Sequence, residues 1–233
     1  IRYTNKYKTR NHLQRSIMKE YLKITNEDNM ELMARYPDNY FDLAIVDPPY
    51  GIGMDKNRAS QGGKYNFKEY KLTDWDNEYP NQKYFTELQR VSKNQIIWGA
   101  NHFNSMILFD SPCWIVWDKN NGENDNADAE LAYTSFKTAV RKYTKNIAVT
   151  YKDRIHPTQK PVCLYQWLLT NYAEPNFKIL DTHLGSGSIA IAVDSVNKIE
   201  KMNLTLTACE LDTEYYQTAT QRIEEQTTWN SLF

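Results

Sequence analysis

Short apolar runs alternate along this chain with helix-length amphipathic ones, and that alternation constrains the fold more than any other feature. The clearest run is Phe41-Asp42-Leu43-Ala44-Ile45-Val46, which stops at Asp47-Pro48-Pro49-Tyr50. Comparable strands are expected at Leu22–Thr25, Gln95–Trp98, Cys113–Trp117, Leu131–Tyr133, Ile147–Thr150, Lys178–Asp181 and Leu204–Cys209. Between them, helices are expected over about Asn81–Val91, Val162–Tyr172, Ile189–Val196 and Glu214–Glu225, and another begins at Asn29 behind the capping residue Asp28. Leu13, Ile17 and Tyr21 recur at i, i+4, i+8 and predict a helix over 11–23. Strands that alternate with helices imply an α/β domain on a mainly parallel sheet.

A chain of 233 residues fits a single domain over 1–233. Its 41% hydrophobic and 24% charged residues exclude a collagen, a coiled coil and a wholly disordered chain. No run of about 18 apolar residues is present, so no membrane span is expected. No apolar leader opens the sequence. Cys113, Cys163 and Cys209 are odd in number and lack a C-x-x-C spacing, which argues against a disulfide framework and for a reducing cytoplasm. His102 and His156 do not pair with a cysteine or carboxylate at ligand spacing, so no metal is expected.

Net charge is −1, yet the charges are segregated. Residues 1–23 hold seven basic residues against Glu20, and residues 137–154 hold Lys137, Arg141, Lys142, Lys145, Lys152 and Arg154 against Asp153. Acidic residues gather between Asp118 and Glu130 and between Glu210 and Glu225. Such segregation either forms a basic face for phosphates or marks solvated helix faces. Candidate phosphate contacts are Arg141, Lys142 and Lys145, with Lys64 and Lys68 in the long polar stretch 51–82.

Two motifs carry chemistry. Asp181-Thr182-His183-Leu184-Gly185-Ser186-Gly187 lies between a strand and a helix, where glycines let backbone approach a ligand. Glu210 ends the next strand, where a carboxylate can accept a ribose hydroxyl. This order fits NAD, FAD or S-adenosylmethionine equally. Asp47-Pro48-Pro49-Tyr50 is more specific. Its prolines stiffen the turn, so the Asp47 carboxylate and the Pro48 carbonyl can both accept from a flat base's exocyclic amine while Tyr50 stacks on the ring.

Asp47-Pro48-Pro49-Tyr50 resembles the catalytic motif of amino-group DNA methyltransferases. Asp181 to Ser188 is similar to their cofactor loop, usually D-P-F-x-G-S-G-T, and His156 to Pro161 resembles the H-P-[TA]-Q-K-P segment. Tyr36-Pro37-Asp38-Asn39 and Phe41-Asp42-Leu43 match the lead-in to the catalytic strand. The catalytic motif precedes the cofactor loop, the permuted order of the β class, which includes small phage and prophage modification methylases. Thr182 and His183 depart from the family's Pro and Phe.

The resemblance implies a doubly wound, seven-stranded methyltransferase sheet, S-adenosylmethionine as cofactor, and N6-adenine methylation of DNA on a flipped base. N4-cytosine in DNA, adenine in RNA, and a catalytically silent DNA-binding subunit are its rivals. It assigns catalysis to Asp47, Pro48, Pro49 and Tyr50, and cofactor binding to Asp181, Gly185, Ser186, Gly187, Glu210, Thr158, Gln159 and Lys160. His183 is either a cofactor contact or a packed turn histidine, and Asp28 is either an adenine contact or a helix cap. Trp98-Gly99-Ala100-Asn101-His102-Phe103 resembles a family segment near the pocket, or is a buried strand end. The sequence holds no long insert that reads as a separate recognition domain. DNA recognition is therefore expected from residues 51–82 and 118–154, the basic segment 1–23, or a second subunit in a homodimer.

Overall fold

The computed structural model describes residues 19–52, 79–103, 111–121, 127–146, 155 and 159–229. The predicted strand Ile147–Thr150, Thr158, Lys64, Lys68 and residues 1–18 lie outside them.

The strands are β1 (Leu22–Asn26), β2 (Phe41–Val46), β3 (Ser92–Trp98), β4 (Trp114–Asp118), β5 (Ala129–Thr134), β6 (Arg141–Thr144), β7 (Lys178–Asp181) and β8 (Thr205–Glu210). The helices are α1 (Asn29–Ala34), α2 (Gln82–Val91), α3 (Val162–Tyr172), α4 (Ser188–Glu200) and α5 (Thr213–Trp229). One sheet runs β1-β8-β7-β2-β3-β5-β4-β6. Pairing is parallel except where β5 lies antiparallel to β3 and β4. The sheet has eight strands where seven were expected.

The reason β2 reads as an unbroken apolar run is its position. Leu43 and Ile45 pack into a cluster with α3 and α4, while Ala44 and Val46 pack on the opposite side with α1 and α2. A strand buried on both faces has no polar face to alternate with. Helix α2 shows the contrasting pattern. It buries Tyr84, Phe85, Leu88 and Val91 and is capped by Asn81, whose side chain accepts from Lys83 and Tyr84 N–H.

Two expectations need correction. The helix over 11–23 does not reach its predicted end. Residues 19–21 lead through a turn into β1, where Leu22 and Lys23 pair with Leu206 and Thr207. The period-four spacing there yields to sheet pairing. Within 118–154, expected to be an inserted recognition element, β5 and β6 are strands of the sheet itself. The sequence reading did not see β6. It is an edge strand with mostly exposed side chains, and only its register against β4 makes it a strand. Among the described residues no helix is long and apolar enough to cross a membrane.

Candidate active site

The centre of the sheet fixes the site. From β7 the chain winds outward through α4 to β8, and from β2 it winds the other way through α2 to β3. Adjacent β2 and β7 therefore form the switch point of the winding, where loops leave in opposite directions and open a crevice. Asp47 follows β2 and Thr182 follows β7, so both motifs meet there. A cleft of about 1020 Å³ opens at this end.

Of the expected site residues, the cleft wall holds Asp28, Asp47, Pro49, Gln159, Lys160, His183, Gly185, Ser186 and Glu210. Pro48, Tyr50, Asp181 and Gly187 are not on it, and each has another position to account for. Gly187 has φ +75 and caps α4, and a Cβ there would lie 2.7 Å from Ile223 Cδ1. Its bareness serves the α4–α5 contact rather than ligand approach. Gly185, at φ +53 with open space where a Cβ would point, is the glycine that lets backbone line the cleft.

Asp181 is buried beneath the loop, accepting from His183 N–H at 3.0 Å. Burial raises its carboxyl to about 8, with that N–H opposing. The folded protein keeps the Asp181 proton over a range in which the unfolded chain, ionising near pH 4, has lost it. Stability is therefore expected to fall as pH rises from about 4 to about 8. Asp181→Asn should flatten this slope in melts taken across the range, each kcal/mol being about 2–4 °C in a chain of this size. An unchanged slope would place the titration elsewhere.

Glu210 ties the loop to the next turn. Its Oε2 accepts from Gly185 N–H at 2.9 Å and its Oε1 from Asp212 N–H at 3.0 Å. The neighbouring acid Glu27 is taken by Arg35 at 2.5 Å. Glu210 lines the cleft, and each of its oxygens keeps a lone pair that a ligand hydroxyl can use. Asp28 caps α1, accepting from Met30 N–H at 2.8 Å, and also lines the cleft.

Burial lowers the His183 imidazole to about 4, so the ring is neutral at pH 7. One ring nitrogen meets Asn29 Nδ2 at 3.2 Å and the other Thr182 Oγ1 at 3.0 Å, and Thr182 in turn meets the Tyr84 hydroxyl at 2.6 Å. The two departures from the family motif thus form one hydrogen-bonded chain, with both nitrogens of His183 engaged by the protein.

Asp47 is held more tightly than the sequence suggests. Lys160 Nζ meets its Oδ2 at 2.5 Å, and the Tyr50 hydroxyl donates to its Oδ1 at 2.8 Å. The ammonium also meets Glu130 at 3.1 Å and donates to the Tyr50 hydroxyl at 3.1 Å, while Lys119 pairs with Glu130 at 2.7 Å. Burial raises Asp47, against the pull of Lys160. Burial also works upward on Glu130, but its two ammoniums outweigh it and hold the carboxyl at about 2. Lys160, expected to serve the cofactor, lines the cleft and pairs its ammonium with Asp47 and Glu130.

Tyr50, expected to stack on the base, also has partners within the protein. Its ring lies parallel to His102, centroids 5.2 Å apart, and its hydroxyl caps Asp47. Gly99, at φ +68, gives the ring room; a Cβ there would be 2.2 Å from Tyr50 Cε1. In Trp98–Phe103, Trp98 is a buried strand end, while Gly99 and His102 pack on the Tyr50 ring. Sequence reasoning did not single out Glu130, Lys119 or Gly99. Glu130 stood in the acidic stretch 118–130 with no spacing to mark it.

Residues 110–221 match the DNA methylase family N6_N4_Mtase. The methylase match takes in β7, the 181–188 loop and Lys160, while Asp47 lies before it. Longer similarity comes from whole proteins. The type II methyltransferase M.BglII of Bacillus subtilis is 25% identical over 96% of this chain and 75% of its own length. The putative methylase YubD of Escherichia coli K12 is 26% identical over 71% and 76%. Among solved structures, the M1.HpyAVI–SAM complex superposes with a TM-score of 0.56 at 20% identity, covering 87% of this chain and 98% of that one. The cytosine-N4-specific PvuII DNA methyltransferase gives 0.52 at 11% identity, covering 89% and 93%. At these identities the two superpositions establish a shared Rossmann-like fold.

Proposed function

We propose that this chain transfers a methyl group from S-adenosylmethionine to the exocyclic N6 amine of adenine in DNA. The observation that carries the reading is the convergence of Asp47 and the Asp181–Ser188 loop on one cleft at the switch point. The residues fit the donor. Gly185 bares backbone to the cleft, Glu210 offers a carboxylate to a ribose, and His183 and Ser186 line the floor between them. S-adenosylmethionine, when bound there, supplies an already activated methyl group on a sulfonium.

Everything else is done by the chain's own residues. Asp47, which lines the cleft, accepts a hydrogen of the target amine at Oδ1 and turns its lone pair toward the donor. As the nitrogen gains positive charge, the carboxylate stabilises it. Much of the acceleration is orientation within a closed cleft. The base leaves the helix stack to reach Asp47, at a cost of a few kcal/mol. Adenine rather than cytosine follows from the D-P-P-Y form of the motif, which resembles adenine enzymes more often.

The test is incubation with methyl-labelled cofactor and unmethylated DNA or RNA, then mass spectrometry of the nucleosides. N6-methyladenine from DNA is the expected product. N4-methylcytosine, or label in RNA alone, would replace the substrate, and no transfer to any nucleic acid would sink the reading.

Glu210→Ala is expected to weaken cofactor binding by about 1–3 kcal/mol, read by calorimetry, through loss of a charged hydrogen bond. Activity should partly recover at high cofactor concentration. Normal binding would move the ribose elsewhere.

The basic face at β6 carries phosphate contacts in this reading. Arg141, Lys142 and Lys145 are exposed there, with Lys142 paired to Asp118 at 3.1 Å. Reversing Arg141 and Lys142 together should weaken DNA binding and lower the salt slope by about one per lost contact. An unchanged slope would make them ordinary solvated residues.

A further inference from the structure

A lysine buried to 3% residual exposure beside two carboxylates demands an explanation. Burying an ammonium costs several kcal/mol, and such a group stays charged only where acids repay the loss of water. Lys160 meets that condition twice, with Asp47 and with Glu130. Glu130 is in turn fixed from its other side by Lys119 at the end of β4. The four charges compensate one another and make a continuous path from the end of β4 to the cleft, ending on Asp47.

We propose that Lys160 and Glu130 are positioning residues for methyl transfer: Lys160 keeps Asp47 a carboxylate and fixes its orientation, and Glu130, held by Lys119, fixes Lys160. This rests on the methyl-transfer reading above. Three observations support it. Lys160 takes Oδ2 of Asp47, so only Oδ1, held by the Tyr50 hydroxyl, can be exchanged for another donor. Glu130 lies 3.4 Å from that same hydroxyl, so the hub touches both groups that hold Asp47. Lys160 also lies 5.2 Å from the centroid of the Trp98 ring, whose face favours the cation and walls it from water.

The charged and titratable groups that face Asp47 come from several elements. Lys160 precedes α3 and Tyr165 lies on it, Glu130 is on β5, Tyr84 on α2 and Asp181 on β7, with Tyr50 following β2. Of these Lys160 is the cation. Removing it leaves Asp47 among anions and neutral groups, and its proton then stays on to higher pH. Removing the Glu130 charge acts in the opposite sense, because an anion is taken away while Lys160 remains.

The experiment uses Lys160→Met and Glu130→Gln in the full chain, with the Asp47 carboxyl carbon followed by ¹³C NMR titration and assigned by its absence in Asp47→Asn. The acid limb of single-turnover methylation is followed beside it. Lys160→Met should move the Asp47 titration and the limb upward by about 1–3 pH units. Glu130→Gln should move both downward. Cofactor affinity measured by calorimetry should stay within about threefold of wild type, since the carboxylates rather than the cofactor hold the ammonium.

Rates that fall with the Asp47 titration unmoved would overturn the proposal and leave a packing role. A tenfold loss of cofactor affinity in Lys160→Met would overturn it too, returning Lys160 to the cofactor. If Lys160→Met does not fold, the nearly isosteric Glu130→Gln and the charge-preserving Lys160→Arg decide the matter. The first must shift the titration downward, and the second must leave Asp47 titrating within about half a unit of wild type. Failure of methyl transfer itself would be seen as an inactive wild type, while the NMR titration reads the charge network without substrate.

Discussion

Asp47→Ala is expected to lose methyl transfer by at least about 10²–10³-fold in single-turnover rate while binding S-adenosylmethionine nearly as well as wild type. That factor is what one preorganised hydrogen-bonding group facing developing charge contributes in other enzymes. Asp47 is the group on which the structure concentrates its effort: two donors hold it, and it opens on the cleft. Cofactor affinity is spared because Gly185 and Glu210 hold each other independently of Asp47. Asp47→Ala also leaves Lys160 with Glu130 as its remaining carboxylate partner, so some stability is lost as well. Calorimetry and single-turnover methylation separate the two half-sites. A variant that methylates at the wild-type rate would end the catalytic assignment.

The second large effect is expected at Gly99, which touches no ligand in the proposed reading. A methyl group there would sit 2.2 to 2.6 Å from three carbons of the Tyr50 ring, on a backbone at φ +68 that side chains disfavour. The ring is the part able to give way, and moving it pulls the hydroxyl from Asp47. Gly99→Ala should therefore lower transfer on the order of 100-fold, the cost of a displacement of about an ångström at a reacting group. Backbone strain should add a loss of about 1–2 kcal/mol in stability. In a Tyr50→Ala background the same substitution should cost the strain alone. Full additivity of the two rate losses would show that the ring is not what transmits the damage.

Much of this was legible in the sequence, for physical reasons that can be named. The strand β2 announced itself because burial on both faces leaves no polar position. The cap residue Asp28 was readable because helix starts leave N–H groups that short polar side chains satisfy locally, while Asn81, expected inside its helix, proved to be the cap. What depended on distant chain stayed hidden. Nothing in Arg141–Thr144 marks a strand until β4 lies beside it. Glu130 and Lys119 looked like members of a solvated charged stretch, and only the sheet brings them to Lys160. The motif containing Lys160 was legible as a motif, but the carboxylates its ammonium meets were not. A sequence shows which groups are available and not which partner a flexible lysine will choose.

The order of strands in the sheet has a consequence for how the chain is made. The strand β1 pairs with β8, and β7 stands between β8 and β2, so the first strand described is completed by a strand far along the chain. During translation β1 and the outer edge of β2 emerge early with their backbone groups unpaired, and β2 carries an apolar surface on both faces. Unpaired edges of this kind invite contact with other chains. The central sheet cannot close until the ribosome has delivered residues 178–210, and the cleft comes into being at that same late moment. A nascent chain short of β7 and β8 is therefore exposed to contacts with other chains, and it has no cleft until those two strands are made.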